Sequence, residues 1–433
     1  MTSISRRRFI RKSFAGAAAL SFLPLVKSCS APPSDVIRLG FIGLGRQAMY
    51  LMNGFSQMEG VQIVAGADVY GVKRRRFEML LNDFYKEKNQ NVKIDTYEHY
   101  HQILNRNDID GVVISTPDHW HGIMGVESCE AGKDIYMEKP LTFTIKEGVE
   151  LVKAVRNNNV ILATGSQQRS DSNFQHAVNM VQNGSLGRIE KIFAHVGGPP
   201  VPYNLQEEPL PDDLNWDLWL GPNPYVHYNH ELNPPISLDP LVNEQLWGAW
   251  RWYKEMGGGF TTDWGAHMFD IAQWAAGKDD SGPVRIIPAG YNDYKFLTFE
   301  YADGLIMTEE PFNEAGSRGV KFVGEDGWIE VSRGHYEASD PSLMPVEAKE
   351  RDETVDYETG IPHLVDFIES MRSRKDPIAP VEVGHRTCTT CTLGNIAYEL
   401  GRPVEWDPAR EYFVNDAEAE KFYHRDYRAG YKI

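Results

Sequence analysis

Cysteine is scarce in this 433-residue chain: there are four, too few for a disulfide framework at such a length. Long apolar runs are missing as well. Past a modest stretch from Phe14 to Val26, no run of ~18 or more apolar residues could span a bilayer. Positive charge is in deficit, with 44 Lys and Arg against 61 acids and a net charge of −17. Six of those bases (Arg6, Arg7, Arg8, Arg11, Lys12 and Lys27) crowd into the first 28 residues, which hold no acid. Residues 29–433 thus carry 38 bases against the same 61 acids, a net −23. So acidic a body repels nucleic acid and anionic membrane surfaces and suits a neutral substrate. Internal repeats and low-complexity tracts are absent. A single hydrophobic core ordinarily splits before this length, so two domains are expected.

What is present begins with an address. Ser5-Arg6-Arg7-Arg8-Phe9-Ile10 fits the twin-arginine export pattern, and the apolar run behind it is too short for a transmembrane helix. Residues 1–28 are expected to be a signal peptide and 29–35, with Pro32 and Pro33, a tether. Val26-Lys27-Ser28-Cys29 resembles a loose lipoprotein cleavage box, which would lipidate Cys29; ordinary peptidase cleavage is the open alternative. The expected location is the periplasm, with or without a lipid anchor. Twin-arginine export carries folded proteins, so a cofactor taken along would be held tightly. Cys388-Thr389-Thr390-Cys391 has thioredoxin-like spacing but no second pair. It reads as two helix residues, with a disulfide open in an oxidising compartment.

From Val36 to Thr164 apolar strands alternate with helical stretches, the pattern of a parallel sheet covered on both faces. The texture changes near Gly165. A long Pro-, Asn- and Trp-rich segment runs from Gly197 to about Trp247, and short strands separated by turns follow. The expected fold is α/β: a Rossmann dinucleotide-binding domain over 36–165 and an α+β domain with an open mixed or antiparallel sheet over 166–433. The first strand–helix turn carries Gly43-x-Gly45-x-x-Ala48, flanked by Leu44, Arg46 and Gln47. Gly43 permits the tight turn, Gly45 the approach of a diphosphate, and Ala48 close helix packing. Asp68 closes the second strand twenty residues after Ala48, where a carboxylate binds ribose hydroxyls and repels a 2′-phosphate. NAD is therefore favoured, although Arg74, Arg75 and Arg76 complicate the preference unless they form a solvated helix face.

Two more motifs sit at C-terminal strand ends, where such sheets place ligands. They are Thr116-Pro117-Asp118-His119-Trp120-His121 and Glu138-Lys139-Pro140. Further on, Gly257-Gly258-Gly259 leads into Asp263 and His267, which share one face if helical. Together these motifs resemble the glucose–fructose oxidoreductase/inositol dehydrogenase (Gfo/Idh/MocA) family from about Val36 to Pro408. The resemblance implies that His267 exchanges the proton of a reacting hydroxyl, Lys139 polarises its oxygen, and Asp263 orients His267 or the sugar. Imidazole suits that exchange because its ordinary pKa lies near the working pH. The resemblance also implies cofactor contacts from Gly43, Leu44, Gly45, Arg46, Gln47, Asp68, Thr116, Pro117, Asp118, His119, His121, Glu138, Lys139 and Gln167. Substrate contacts are implied for Arg169, Asp263 and His267, and Trp252 and Tyr253 could form a sugar platform.

The expected reaction is hydride transfer between NAD and a secondary alcohol carbon of a sugar, glycoside or inositol, in a homo-oligomer without metal. One alternative shares the site. Oxidation beside an acidifiable C–H permits elimination of a glycosidic group, then hydration and re-reduction, which amounts to an NAD-dependent glycoside hydrolase. Members of that kind carry a different tripeptide in place of Glu138-Lys139-Pro140.

Overall fold

The computed structural model describes residues 36–313, 316–345 and 361–433; the twin-arginine segment, Cys29 and the tether lie outside the described residues. Six strands form the first sheet: β1 (Ile37–Ile42), β2 (Val61–Ala67), β3 (Asp95–Tyr97), β4 (Gly111–Ile114), β5 (Asp134–Met137) and β6 (Leu162–Thr164). Their order is β3-β2-β1-β4-β5-β6 and every pair is parallel, the doubly wound arrangement that opens a crevice where the order reverses. The near-continuous apolar strands are buried because helices cover both faces. One of these helices, Ile145–Asn158, starts on a reciprocal capping box: the Thr144 side chain accepts from the Glu147 N–H, and the Glu147 carboxylate accepts from the Thr144 N–H.

The second half builds a nine-stranded sheet. Its members are β7 (Ile189–His195), β10 (Arg285–Ile287), β11 (Leu297–Glu300), β12 (Ile306–Glu309), β13 (Gly319–Gly324), β14 (Gly327–Ser332), β15 (His335–Ala338), β16 (Val404–Asp407) and β17 (Tyr412–Phe413). All neighbours are antiparallel except β7 and β12, which run parallel. The strands β15, β16 and β17 had no clear sequence signal, because they are short and His335–Ala338 presents a polar, half-exposed edge. The small hairpin of β8 (Ser237–Leu238) and β9 (Leu241–Val242) belongs to the long insertion.

The closing helices return to the first domain. In Ile361–Ser373 the stripe Leu364, Phe367, Ile368 and Met371 packs among Leu39, Phe41 and Phe55. Val381–Leu400 joins both cores, with Val381 and Cys388 in the Rossmann core and Cys391 and Leu393 in the other. Cys129, Cys388 and Cys391 are free, buried thiols, so the Cys-x-x-Cys pair makes no disulfide. No helix among the described residues is long and apolar enough to cross a membrane.

Candidate active site

The chain leaves β1 through Gly43 and enters the helix Arg46–Ser56 at Gly45. Gly43 has φ +81°, and a Cβ there would lie 2.8 Å from Thr116 Cγ2 and 2.9 Å from the Ser115 carbonyl carbon, so only glycine fits. At Gly45 a Cβ would meet nothing nearer than Lys73 Nζ at 3.8 Å. That opening lies at a helix N-terminus, whose free N–H groups attract a diphosphate. Both glycines line a cleft of about 150 Å³ together with Arg46, Asp68, Thr116 and Pro117. The Asp68 carboxylate accepts from the backbone N–H groups of Leu44 (2.7 Å) and Tyr70 (2.8 Å), which fixes it at the end of β2. In the same wall Asn233 leaves its buried Nδ2 without an acceptor, a donor that a phosphate or hydroxyl would satisfy. The residues present therefore fit a dinucleotide.

Of the three consecutive arginines only Arg75 is a solvated residue. Arg74 donates to the Asp68 carbonyl (2.5 Å), Arg75 to Asp213 (2.9 Å), and the fully buried Arg76 to the Leu44 carbonyl (2.7 Å) and Glu244 (2.5 Å). Arg76 is thus committed to protein acceptors, and Arg74 and Arg75 each have one. Glu244 belongs to the long insertion, which straps the cleft. Lys73 Nζ reaches both Asn233 (2.7 Å) and Glu244 (3.2 Å), and Arg46 lies over Trp247 at 4.4 Å.

Gln47, Ser115, Thr116, Trp247, Trp250 and Arg251 line this cleft and also a larger one of about 660 Å³, so the two cavities meet. The larger one contains Lys139, Asp263 and His267. Lys139 Nζ donates to Asp263 Oδ1 (2.7 Å) and to the Asp263 carbonyl (3.1 Å), and Arg251 lies 3.5 Å from the same carboxylate. Burial would raise the Asp263 carboxyl, but Lys139 and Arg251 outweigh it and hold the group below the usual carboxylate range. Burial, reinforced by Arg333 and Lys139, pushes the His267 imidazole well below its ordinary pKa, so it is neutral. Its Nε2 lies 3.2 Å from Arg333 Nη2. A guanidinium only donates, so Nε2 is the acceptor nitrogen. A substrate hydroxyl that takes the place of Arg333 there finds a base ready to receive its proton.

These features coincide with what the sequence matches. The family descriptions "Oxidoreductase family, NAD-binding Rossmann fold" and "Oxidoreductase family, C-terminal alpha/beta domain" fit residues 37–166 and 193–433. The chain belongs to the Gfo/Idh/MocA oxidoreductase family. Among curated relatives it is 29% identical over 265 residues to a glycosyl hydrolase family 109 protein of Shewanella sp. (strain ANA-3), covering 56% of this chain and 55% of that protein. It is 31% identical over 165 residues to an alpha-N-acetylgalactosaminidase of Shewanella oneidensis, covering 37% and 34%. The chain thus spans about half or less of the length of these relatives. In fold it resembles the WlbA dehydrogenase of Bordetella pertussis, solved with NADH and UDP-GlcNAcA (TM-score 0.61, 17% identity, 86% of this chain and 98% of that one). It also resembles an aldose-aldose oxidoreductase of Caulobacter crescentus complexed with glycerol (TM-score 0.56, 16% identity, 86% and 99%).

Within this Gfo/Idh/MocA chain the expected site residues divide. Gly43, Gly45, Arg46, Gln47, Asp68, Thr116 and Pro117 line the nucleotide cleft, while Asp118, Glu138, Lys139, Gln167, Trp252, Asp263 and His267 line the larger one. Leu44 is buried and contributes through its backbone. Glu138 acts as an organiser: it accepts from the amides of Gln47 (2.9 Å) and Gln167 (2.8 Å) at the junction of the cavities. The Lys139–Pro140 peptide is cis.

Four expectations need correction. Arg169 is not a substrate ligand, since it is buried and its donors are spent on Asp270 and Asp279. His119 and His121 turn away from both cavities. His119 Nε2 lies 3.0 Å from the Trp219 carbonyl, and His121 has the Pro140 and Thr116 carbonyls at 2.8 and 3.0 Å. Burial drives their pKa values down to about 3 and about 4, so both are neutral structural groups. Tyr253 is buried edge-on against Tyr203 in the insertion's own core, leaving Trp252, stacked on Phe260 at 4.1 Å, as the platform. Asp263 and His267 do not share one regular helix. The turn Gly259–Asp263 ends at Trp264 before Gly265–Ala275 begins, and their partners differ. Sequence reasoning missed Arg318 and Arg333, basic residues at strand ends with no motif around them.

Burial raises the Asp118 carboxyl to about 8, although Arg251 and Lys139 pull against it. The acid is therefore protonated at neutral pH and ionises on the alkaline side, beside Lys139 and Asp263. The half-reaction is expected to change rate near pH 8, where Asp118 ionises. Asp118→Asn fixes the neutral form. Stopped-flow reduction of bound NAD across pH should show that this variant has lost the alkaline change.

Proposed function

We propose that this protein is an NAD-dependent oxidoreductase acting at a secondary alcohol carbon of a sugar or polyol, with its cofactor retained through the catalytic cycle. The observation that carries the reading is the meeting of the two cavities at Gln47 and Thr116, with the Lys139–Asp263 pair and neutral His267 in the larger one. Bound NAD supplies the acceptor for the hydrogen on the reacting carbon. Lys139 donates to the hydroxyl oxygen and stabilises charge developing on it, and His267 Nε2 receives its proton. Asp263 keeps the Lys139 ammonium aimed into the cavity, and Trp252 packs against sugar C–H groups. The insertion strapped by Glu244 supports retention of the nucleotide.

A second reading has support from the glycosyl hydrolase names among the relatives: the same site would oxidise, eliminate, hydrate and re-reduce a glycoside. We further propose twin-arginine export to the periplasm, with Cys29 as a candidate lipid anchor, and a homo-oligomeric assembly. The deciding experiment denatures the purified protein, identifies the released nucleotide by mass spectrometry, and follows the native protein at 340 nm with sugars, inositols and glycosides. Stoichiometric NAD that is reduced by one sugar class, and turns over only with an added acceptor, supports the oxidoreductase. Free sugar released without lasting absorbance supports the hydrolase, and no nucleotide with no absorbance change rejects both.

A further inference from the structure

In a chain of net charge −17, the larger cavity gathers several basic side chains. Four cations line it: Lys139, Arg251, Arg318 and Arg333. Four carboxylates, Asp118, Glu138, Asp171 and Asp263, line it as well. Asp118 is protonated at neutral pH, burial raises the Glu138 carboxyl, and the Asp263 charge is taken up by Lys139. Arg318 precedes Gly319 at the start of β13 and Arg333 follows Ser332 at the end of β14, and Gly319 pairs with Ser332. The two guanidinium groups therefore flank one rung of the sheet. Both lie over Trp264, at 5.0 and 4.9 Å from its ring centroid, and Arg318 also lies 4.5 Å from Phe260. The aromatic faces tolerate this pair of like charges.

Arg318 is tethered by one hydrogen bond, from Nε to the Val196 carbonyl (3.1 Å). Among the described residues no carboxylate pairs with it and its two Nη groups have no acceptor. A half-buried guanidinium fork held open in this way has the geometry for two-point binding of a carboxylate or sulfate. The aromatic shelf of Trp252, Phe260 and Trp264 lies in the same wall as the fork.

We propose that the substrate is an acidic sugar, one bearing a carboxylate or sulfate that Arg318 holds while a ring hydroxyl faces Lys139 and His267. This rests on the sugar-oxidoreductase reading above and replaces the neutral substrate expected from the overall charge. The test compares matched pairs: methyl glucuronide against methyl glucoside for the carboxylate, and glucose 6-sulfate against glucose for the sulfate. Each is titrated into the NAD-loaded protein by tryptophan fluorescence, and reduction is followed separately at 340 nm. The acidic member of at least one pair is expected to bind about tenfold or more tightly, with the preference shrinking as salt rises. In Arg318→Gln the ratio should collapse toward one, and Arg318→Lys, which keeps charge without the fork, should fall between. Whichever pair responds identifies the anion. Neutral members that bind as well as acidic ones, or a ratio unmoved in both variants, would overturn the proposal. Acid-selective binding without any reduction would uphold the anion site and reject the redox reading; neutral sugars that bind and reduce equally well would do the reverse.

Discussion

Replacing Lys139 by Met is expected to slow reduction of the bound NAD on the order of a thousandfold while nucleotide content stays at one per chain. The magnitude is that of a positioned proton donor lost from a cavity screened from water. Lys139 Nζ is the only described amine within hydrogen-bond distance of Asp263 Oδ1, and both groups are largely shielded from solvent. Its removal leaves Arg251, at 3.5 Å, as the nearer counter-charge of that carboxylate. The nucleotide cleft does not include Lys139 among its walls, so cofactor binding should persist. Single-turnover absorbance at 340 nm, with mass spectrometry of the released nucleotide, checks both halves. A variant that reduces NAD at the wild-type rate would remove Lys139 from the chemistry.

Glu244→Ala is expected to have the largest effect on cofactor retention and stability. Glu244 is the shared anion of two buried cations, Lys73 at 3.2 Å and Arg76 at 2.5 Å. Removing one member of such a group leaves uncompensated charge in the interior and costs about 3–5 kcal/mol. Arg76 also donates to Asn243 and to the Leu44 carbonyl, so it joins the strap to the diphosphate loop itself. The variant should unfold at a lower urea concentration and lose NAD on gel filtration; full retention would refute the strap. Burial opposes ionisation of Glu244, but Lys73 and Arg76 prevail and bring its carboxyl down from 4.5 to about 2. A depressed acid stabilises the fold fully above its unfolded pKa, so this contribution is intact above about pH 4.5 and is lost as pH falls toward 2. Acid should therefore loosen the nucleotide in the wild type over that range and have less effect on the variant.

The sequence was most legible where backbone geometry dictated residue type. Gly43, the apolar strands and Asp68 announced the nucleotide domain, and the glycine run 257–259 makes a close backbone approach at Gly259. That residue has φ +68°, and a Cβ on it would lie 2.4 Å from Pro200 N. Motif spacing also brought Lys139, Asp263 and His267 to one cavity from segments more than a hundred residues apart. Legibility failed where a residue's role depends on a distant partner. Arg169 looked available until Asp270 and Asp279 claimed it, and Arg76 looked solvated until Glu244 folded over it, 168 residues away. Nothing local distinguishes such arginines from Arg318, whose Nη groups meet no carboxylate among the described residues.

The return of Ile361–Ser373 and Val381–Leu400 to the first domain bears on how the molecule is assembled. Phe55 and Tyr136 meet Phe367 edge to face, and Gly384 lies so close to Thr164 that a Cβ there would come within 2.3 Å of its hydroxyl oxygen. The nucleotide-binding half is thus translated first and completed last: its six strands emerge early, with one apolar flank uncovered until nearly 200 further residues have been made. Long-range closure of that kind slows folding and leaves the early half exposed to misassembly. A fragment ending at residue 165 would lack the cover that Phe367 and its helix give to Phe55 and Tyr136.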